Sequence, residues 1–146
     1  MGEFRKLSDT FYASPQVSPQ DISEAAAMGM ALVVNNRPDG EAADQPEGAA
    51  IEAATRAAGM DYLAIPIGSA GFSEPQVERL QDALASAQGP VLGFCRSGTR
   101  STLLWSLAQT RSGGDPDAIA EAAASVGYDV SPVRPAMDMF AARAAE

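Results

Sequence analysis

The sequence predicts an α/β fold: one domain, spanning residues 1–146, with a mostly parallel central sheet of four to five strands flanked by helices. Four segments repeat one pattern, in which an alanine-rich helical stretch is followed by a glycine and then by an apolar or β-branched run. Glycine suits the position just past a helix end, where φ is positive. Short apolar runs are typical of parallel strands buried on both faces. The length also suits a single core.

The strands and the first helix starts follow from this pattern. Strands are predicted near residues 11–13, 31–35, 62–67 and 91–94. Two helix starts combine a serine N-cap with a proline in the first turn, at Ser18-Pro19 and at Ser73 with Pro75. The segment 41–48 is predicted to be a polar loop.

The last third of the chain is predicted to be helical. Pro132 and Pro135 would interrupt any strand there, because proline cannot donate to a sheet ladder. The predicted closing helices span residues 99–111, 115–126 and 135–144.

Composition and charge restrict the class of function. The formal net charge of −9 argues against a nucleic-acid or anionic-membrane surface. A single cysteine excludes an intramolecular disulfide, and with no histidine in the chain a zinc or iron site is not expected, nor is a cofactor. The first residues lack the apolar core of a signal peptide, and the apolar run at 25–34 is too short to span a membrane. We expect a cytoplasmic protein.

The single cysteine, Cys95, lies where a ligand site is expected. It follows the apolar run VLGF, and ligands of open α/β sheets bind beyond the carboxyl ends of strands. Gly98 lets the backbone curl so that several N–H groups converge on one point. Those groups, the following helix N-terminus and Arg100 favour a negative charge, and so favour the reactive thiolate. A buried, inert cysteine would not need these neighbours.

This loop therefore predicts the catalytic and binding residues. Cys95 is the predicted nucleophile, Arg100 supplies a planar fork for a tetrahedral oxyanion, and the Ser101 hydroxyl is predicted to stabilise the thiolate. The residues predicted to bind the anion are Arg96, Ser97, Gly98 and Thr99. Arg96 is predicted either to point outward or to line the mouth of the site.

The motif FCRSGTRS resembles the active loop of the rhodanese sulfurtransferases, in which four residues separate cysteine and arginine. Tyrosine-phosphatase-like enzymes use a similar loop with five residues between them. The opening strand, helix and strand resemble those of compact dual-specificity-type phosphatases, and they end in an arginine-bearing loop at 35–39. The resemblance implies a tyrosine-phosphatase-like fold with a loop of rhodanese length.

Four motifs together are similar to a smaller bacterial family, the phosphatase-like domain of beta-lactamase-hydrolase-like proteins. They are NNRPDGE, YLAIPI, FCRSGTRS and GYDVSPVRP. Members of that family have been described both as phosphatases and as sulfur transferases. Some relatives are fused to a persulfide dioxygenase, which implies sulfide metabolism and a functional link to such an enzyme.

Sulfur transfer is the leading hypothesis from the sequence. Cys95 would take a sulfane sulfur from a small anionic donor, hold it as a persulfide and pass it to a thiol acceptor such as glutathione. This chemistry needs no proton donor for an alkoxide, and the shorter loop suits a single sulfur better than a phosphoryl group.

Phosphomonoester hydrolysis is the alternative. Cys95 would attack phosphorus, Arg100 would bind the equatorial oxygens, and a phosphocysteine would be hydrolysed. This mechanism needs a general acid, and the loop 65–74 contains no aspartate. Asp39 is the candidate acid, against the simpler interpretation of a turn aspartate. Arg37 is predicted either to line the site or to fix its own loop through a salt bridge.

A third hypothesis is an anion-binding or redox-sensing module without catalysis. A lone cysteine can form a sulfenic acid or a mixed disulfide without a resolving partner. The two arginines and the glycine turn are more than a sensor requires, so this hypothesis ranks last.

Overall fold

A computed structural model describes residues 3–146 as a sheet with helices on both faces. The strands are β1 (Arg5–Ser8), β2 (Phe11–Ser14), β3 (Leu32–Asn35), β4 (Asp61–Ala64) and β5 (Val91–Phe94). The helices are α1 (Pro19–Ala27), α2 (Gly48–Ala57), α3 (Glu74–Ser86), α4 (Thr99–Arg111), α5 (Pro116–Ser125) and α6 (Arg134–Ala144), with a 3-10 turn at Ser131–Val133 before α6.

The sheet has the strand order β1-β2-β5-β3-β4, which places β5 at its centre. β5 pairs in parallel with both β2 and β3, so that Phe94 lies beside Ser14 on one side and Asn35 on the other. Among the strands of residues 3–146, only β1 runs antiparallel, at the edge beside β2. β4 also runs parallel to β3, so the carboxyl ends of four parallel strands meet at one edge, and the loops that follow them lie close together.

Alternate residues of the strands face two cores, as the period of a strand requires. One core lies under α1 and α2 and includes Ile22, Ile51 and Phe94. The other lies under α3, α4, α5 and α6, where Phe11 stacks on Trp105 with ring centroids 6.0 Å apart. The two cores hold β5 rigidly from both faces, and Cys95 follows directly after it.

The sequence prediction of an α/β fold with a mostly parallel sheet is confirmed. Both predicted helix starts form capping boxes, Ser18 with Asp21 and Ser73 with Gln76. The predicted strand at 62–67 is too long, because β4 ends at residue 64. Beyond β4, the Ile65 N–H donates to the carbonyl of Asn35, the last residue of β3, and the Ile67 N–H donates to that of Asn36, the first residue after it.

Two further differences concern segments of low apolar content. β1 was not predicted, since only Leu7 of its four residues is buried. The predicted polar loop at 41–48 is one residue too long, because α2 begins at Gly48. Within residues 3–146, no helix combines the length and the apolar character needed to cross a membrane.

Candidate active site

The thiol of Cys95 lies at the centre of the loop that joins β5 to α4. Its side chain is fully buried, and its backbone N–H donates to the carbonyl of Ser14 (3.3 Å). The loop then curls back, so that the Gly98 N–H donates to Cys95 Sγ (3.1 Å). The backbone of the loop thus closes around the sulfur atom of Cys95.

Gly98 makes this curl possible and is the N-cap of α4. Its φ of 92° lies in the left-handed region that residues with a side chain avoid. A Cβ there would also overlap the hydroxyl oxygen of Tyr128. The Tyr128 hydroxyl donates to the Ser97 carbonyl (3.0 Å) and so supports the loop from outside. Burial raises the pKa of Tyr128, which keeps this donor protonated.

The backbone amides around the thiol are available to an anion. In the part of the chain that the structure describes, the N–H groups of Arg96, Ser97, Arg100 and Ser101 make no hydrogen bond. The last two belong to the first turn of α4, whose N–H groups have no partner within the helix. A helix N-terminus with unpaired N–H groups is a favourable site for a phosphate or a similar anion.

Arg100 offers one edge of its guanidinium to such an anion. Nη1 donates to Glu41 Oε2 (2.7 Å) and to the Ile67 carbonyl (2.8 Å), and Nη2 donates to Glu41 Oε1 (2.9 Å). Nε of Arg100 donates to no oxygen or nitrogen atom of residues 3–146. Its hydrogen bond to Glu41 and, to a smaller extent, its interaction with Cys95 raise the pKa of Arg100. The remaining Nε–Nη2 edge presents two parallel donors, the geometry that suits two oxygens of a tetrahedral anion.

Glu41 binds a second arginine as well. Arg37 Nε donates to Glu41 Oε1 (3.0 Å), and the Arg37 side chain is only 5% exposed. The hydrogen bond from Arg100, with that from Arg37, lowers the pKa of Glu41 to about 2. Glu41 is therefore ionised throughout the physiological range and cannot serve as a proton donor.

A family model described as the phosphatase-like domain of the beta-lactamase hydrolase-like protein matches residues 3–112. The chain belongs to this family. It is 35% identical over 104 residues to the beta-lactamase hydrolase-like protein of Agrobacterium fabrum, covering 71% of this chain and 24% of that protein. It is also 33% identical over 107 residues to the beta-lactamase hydrolase-like protein of Xylella fastidiosa, covering 73% of this chain and 25% of that protein. The chain thus spans about a quarter of these relatives.

Solved structures agree with the family assignment. A candidate phosphatase from Neisseria meningitidis superposes with a TM-score of 0.80 at 31% identity, covering 92% of this chain and 96% of that one. Tk-PTP in its active form gives 0.75 at 17% identity, covering 96% and 97%. Pseudomonas aeruginosa TpbA in complex with pTyr gives 0.68 at 20% identity, covering 98% and 90%. The last two show the fold alone, and they confirm the tyrosine-phosphatase-like fold.

Ser101 does not make the predicted bond to Cys95. Its buried hydroxyl donates to Asn36 Oδ1 (2.8 Å), and Asn36 Nδ2 in turn donates to the Ile65 carbonyl (2.9 Å). A hydroxyl has one proton to donate, so the Ser101 proton is not shared with the thiolate. The role predicted for Ser101 as a direct stabiliser of the thiolate is wrong in this geometry, and Ser101 instead ties α4 to the loop after β3.

Asp39 has a structural partner rather than a place beside the thiol. Its Oδ1 accepts the Gly48 N–H (2.8 Å) and thereby caps the first turn of α2. Glu74, the acid at the start of α3, binds Arg111 and Arg143. The interpretation of Asp39 as a turn residue fits this geometry better than the interpretation as a general acid.

The remaining predicted residues fall into two groups. Arg96 is exposed on the loop, whereas Arg37 is buried and forms an ion pair with Glu41 of its own loop. Ser97 Oγ donates to Thr99 Oγ1 (3.1 Å) on the exposed side of the loop. These two hydroxyls shape the turn and do not contact the thiol in any recorded hydrogen bond of residues 3–146.

Sequence reasoning missed Glu41, Gln16 and Tyr128 as parts of the site. Gln16 accepts from Arg37 Nη1 (3.0 Å) and donates its backbone N–H to the Arg96 carbonyl (3.3 Å). The spacing of Arg37 and Glu41 is a weak signal for an ion pair. No local pattern connects Glu41 to Arg100, which lies 59 residues later.

Proposed function

We propose that this chain is a cysteine-based, phosphatase-type enzyme that hydrolyses a phosphomonoester through a covalent intermediate on Cys95. One observation supports this most strongly: the thiol, the unpaired loop amides and the unfilled Nε–Nη2 edge of Arg100 belong to one six-residue loop. The family assignment and the fold agree with phosphatase-type chemistry. Sulfur transfer, which led on the sequence alone, receives no support from these comparisons.

In the proposed reaction the Cys95 thiolate attacks phosphorus, and the bond between phosphorus and the leaving oxygen breaks. The leaving oxygen takes the electron pair. The Nε and Nη2 donors of Arg100 and the loop amides neutralise the charge on the equatorial oxygens. Water then attacks the phosphocysteine, which releases inorganic phosphate and restores the thiolate.

Three carboxyl groups considered as proton donors are engaged in other contacts, which limits the range of leaving groups. Glu41 is ionised, Asp39 caps α2, and Glu74 is paired with two arginines. With these carboxyl groups engaged, the leaving oxygen departs as an anion or takes its proton from water. Aryl phosphates, whose leaving groups are weakly basic, should therefore be turned over much faster than alkyl phosphates.

Sulfur transfer is the second candidate, and the same engaged acids favour it. The Cys95 thiolate would attack the sulfane sulfur of thiosulfate, and the S–S bond would break with its electron pair leaving on sulfite. A thiolate such as that of glutathione would then attack the outer sulfur of the Cys95 persulfide and release Cys95. Neither step needs a proton donor for an alkoxide, and a thiol acceptor or a partner dioxygenase would follow from this reaction.

One pair of measurements separates the two candidates. Wild-type protein and Cys95→Ser would each be incubated with an aryl phosphate and, separately, with thiosulfate. Aryl phosphate turnover that is absent from Cys95→Ser is the result we expect. An added mass of one sulfur atom on the wild type alone, discharged by glutathione and without phosphate turnover, would replace hydrolysis by sulfur transfer. If neither signal appears, both reactions are contradicted and a sensor is favoured.

A further inference from the structure

Arg100 is held at its far end by a carboxylate. The two oxygens of Glu41 accept from Nη1 (2.7 Å) and Nη2 (2.9 Å), and the Ile67 carbonyl accepts from Nη1 as well (2.8 Å). A bidentate bond fixes the plane of a guanidinium as well as its position. The edge that remains, Nε–Nη2, therefore has one orientation.

Glu41 is itself fixed by its own loop. Its backbone N–H donates to Gln45 Oε1 (3.0 Å), and Gln45 Nε2 donates to the Pro38 carbonyl (2.8 Å). Arg37, which is buried, donates to the Glu41 carboxylate from the other side. The carboxylate is therefore built into the fold before any ligand binds.

The contacts close into a ring around the active loop, which we call the arginine–glutamate ring. Its members are Gln16, Arg37, Glu41, Arg100 and the carbonyl of Arg96. Arg96 and Arg100 stand at the two ends of the segment that follows Cys95. The ring thus joins both ends of the loop to the segments after β2 and β3.

We propose that Glu41 is a positioning residue that acts through Arg100, holding the Nε–Nη2 edge in the orientation that receives an anion at Cys95. The proposal rests on the proposed function, because it requires an anion to bind beside the thiol. Glu41 does not touch the reacting group itself. Glu41 binds the Nη1–Nη2 edge of Arg100, and this bond fixes the direction in which the Nε–Nη2 edge points.

The sign of the effect distinguishes positioning from charge. Glu41 is negative, so its removal makes the site more positive, and Coulomb attraction alone would then strengthen anion binding. Positioning predicts the opposite, since an Arg100 without its bidentate partner is free to rotate away. A loss of anion preference on neutralising Glu41 therefore cannot come from charge.

The test uses the single cysteine as its own reporter. Native protein would be alkylated with iodoacetate, which is anionic, and with iodoacetamide, which is neutral, and the rates would be followed by intact mass. The ratio of the two rates, relative to that of 2-mercaptoethanol, measures anion preference at Cys95 whichever reaction the enzyme catalyses. We expect the wild-type ratio to exceed the reference and to fall about tenfold in Glu41→Gln, the size of one lost charged hydrogen bond.

Two variants complete the comparison. Glu41→Asp keeps the charge but shortens the side chain, so positioning predicts an intermediate loss, whereas a charge effect predicts the wild-type ratio. Glu52→Gln is the matched control, because Glu52 also pairs with an arginine, Arg56, on the surface of α2. Its ratio should equal that of the wild type. Thermal unfolding of each variant excludes loss of fold as the cause.

The outcomes separate this inference from the proposed function. A wild-type ratio above the reference that is unchanged or increased in Glu41→Gln would overturn the positioning role alone. A wild-type ratio equal to the reference, or a Cys95 that neither reagent labels, would overturn the proposed anion site and the positioning role together.

Discussion

The two ends of α4 each present an arginine to acidic side chains, but they differ in what is left over. At the last turn, Arg111 donates through all three nitrogens, to Glu74 (3.0 Å), Gln81 (2.6 Å) and Glu78 (3.1 Å) of α3. At the first turn, Arg100 binds Glu41 and a carbonyl, and its Nε donates to no oxygen or nitrogen atom within residues 3–146. Arg111 joins two helices, whereas Arg100 keeps one edge of its guanidinium available for the anion that we propose.

The difference teaches that an ion pair does not by itself identify a structural arginine. Both side chains are about three-quarters buried and both are bound to glutamate. What distinguishes Arg100 is an unfilled pair of parallel donors beside unpaired backbone amides and a thiol. The guanidinium donors without a protein oxygen as partner indicate a binding role, whereas a guanidinium whose three nitrogens are all bonded to side chains indicates a structural role.

The largest expected effect comes from replacing each arginine by lysine. Arg100→Lys keeps the charge but loses the fork, and we expect kcat/KM to fall by about 10²–10³, the usual cost of removing an aligned oxyanion donor. Arg111→Lys should leave kcat/KM within about twofold, because the Arg111 guanidinium bonds to three side chains of α3 at the opposite end of α4 from Cys95. It should lower the free energy of unfolding by about 1 kcal/mol. Steady-state kinetics and urea unfolding of both variants would check this. Equal losses of activity would contradict the comparison.

The glycines at the two ends of α4 extend the comparison between these two ends to the backbone. Gly98 and Gly113 both have positive φ, 92° and 99°, but a Cβ would overlap the Tyr128 hydroxyl at Gly98 and meet nothing within 4 Å at Gly113. Gly113→Ala should cost only the left-handed strain of about 1–2 kcal/mol. Gly98→Ala should cost about 1–3 kcal/mol more, because Tyr128 must move.

Activity separates the two glycine variants further. Gly98→Ala should lower kcat/KM, since it displaces the N–H that donates to Cys95 Sγ, whereas Gly113→Ala should not. Urea unfolding and kinetics on the same preparations provide both values. Equal losses in free energy of unfolding in the two variants would show that Tyr128 moves at no cost in stability, against this prediction.

The smallest expected effect is the loss of the stability contributed by Glu41 at low pH. The pKa of Glu41 is lowered from 4.5 to about 2, chiefly by its hydrogen bond to Arg100, so its contribution to stability is complete above about pH 4.5 and is lost as the pH falls towards 2. The difference in free energy of unfolding between wild type and Glu41→Gln should be constant from pH 8 to 5 and shrink below 4.5. Bonds to Arg143 and Arg111 also lower the pKa of Glu74, which predicts the same sign there. A difference that grows on acidification would contradict the assignment.

Features encoded within short segments were predictable from the sequence. The apolar run of β5, the cysteine and the glycine turn are contiguous, so the strand, the loop and the start of α4 at Thr99 could all be assigned. β1 was not, because an edge strand with one buried residue lacks the apolar run that identifies a central strand.

The polar partners of the site were less predictable, because they are distant in the sequence. Ser101 bonds to Asn36 across 65 residues, and Arg100 bonds to Glu41 across 59. Which hydroxyl or carboxylate fills which donor is decided by where the loops after β3 and β5 meet, and no spacing in the sequence records that. The predicted acid, Asp39, was chosen for its position after Arg37, although its geometry serves α2.

The bond between Tyr128 and the Ser97 carbonyl has a consequence for how this unit is inherited. The family model ends at residue 112, yet Tyr128 and the helices α5 and α6 lie beyond it, and Met137 and Phe140 of α6 belong to the core that also contains Leu104 and Trp105 of α4. A gene fragment cut at residue 112 would encode Cys95 without the Tyr128 support of its loop. We therefore expect a fusion or recombination event that keeps the Cys95 loop intact to move residues 113–146 together with the rest of the chain.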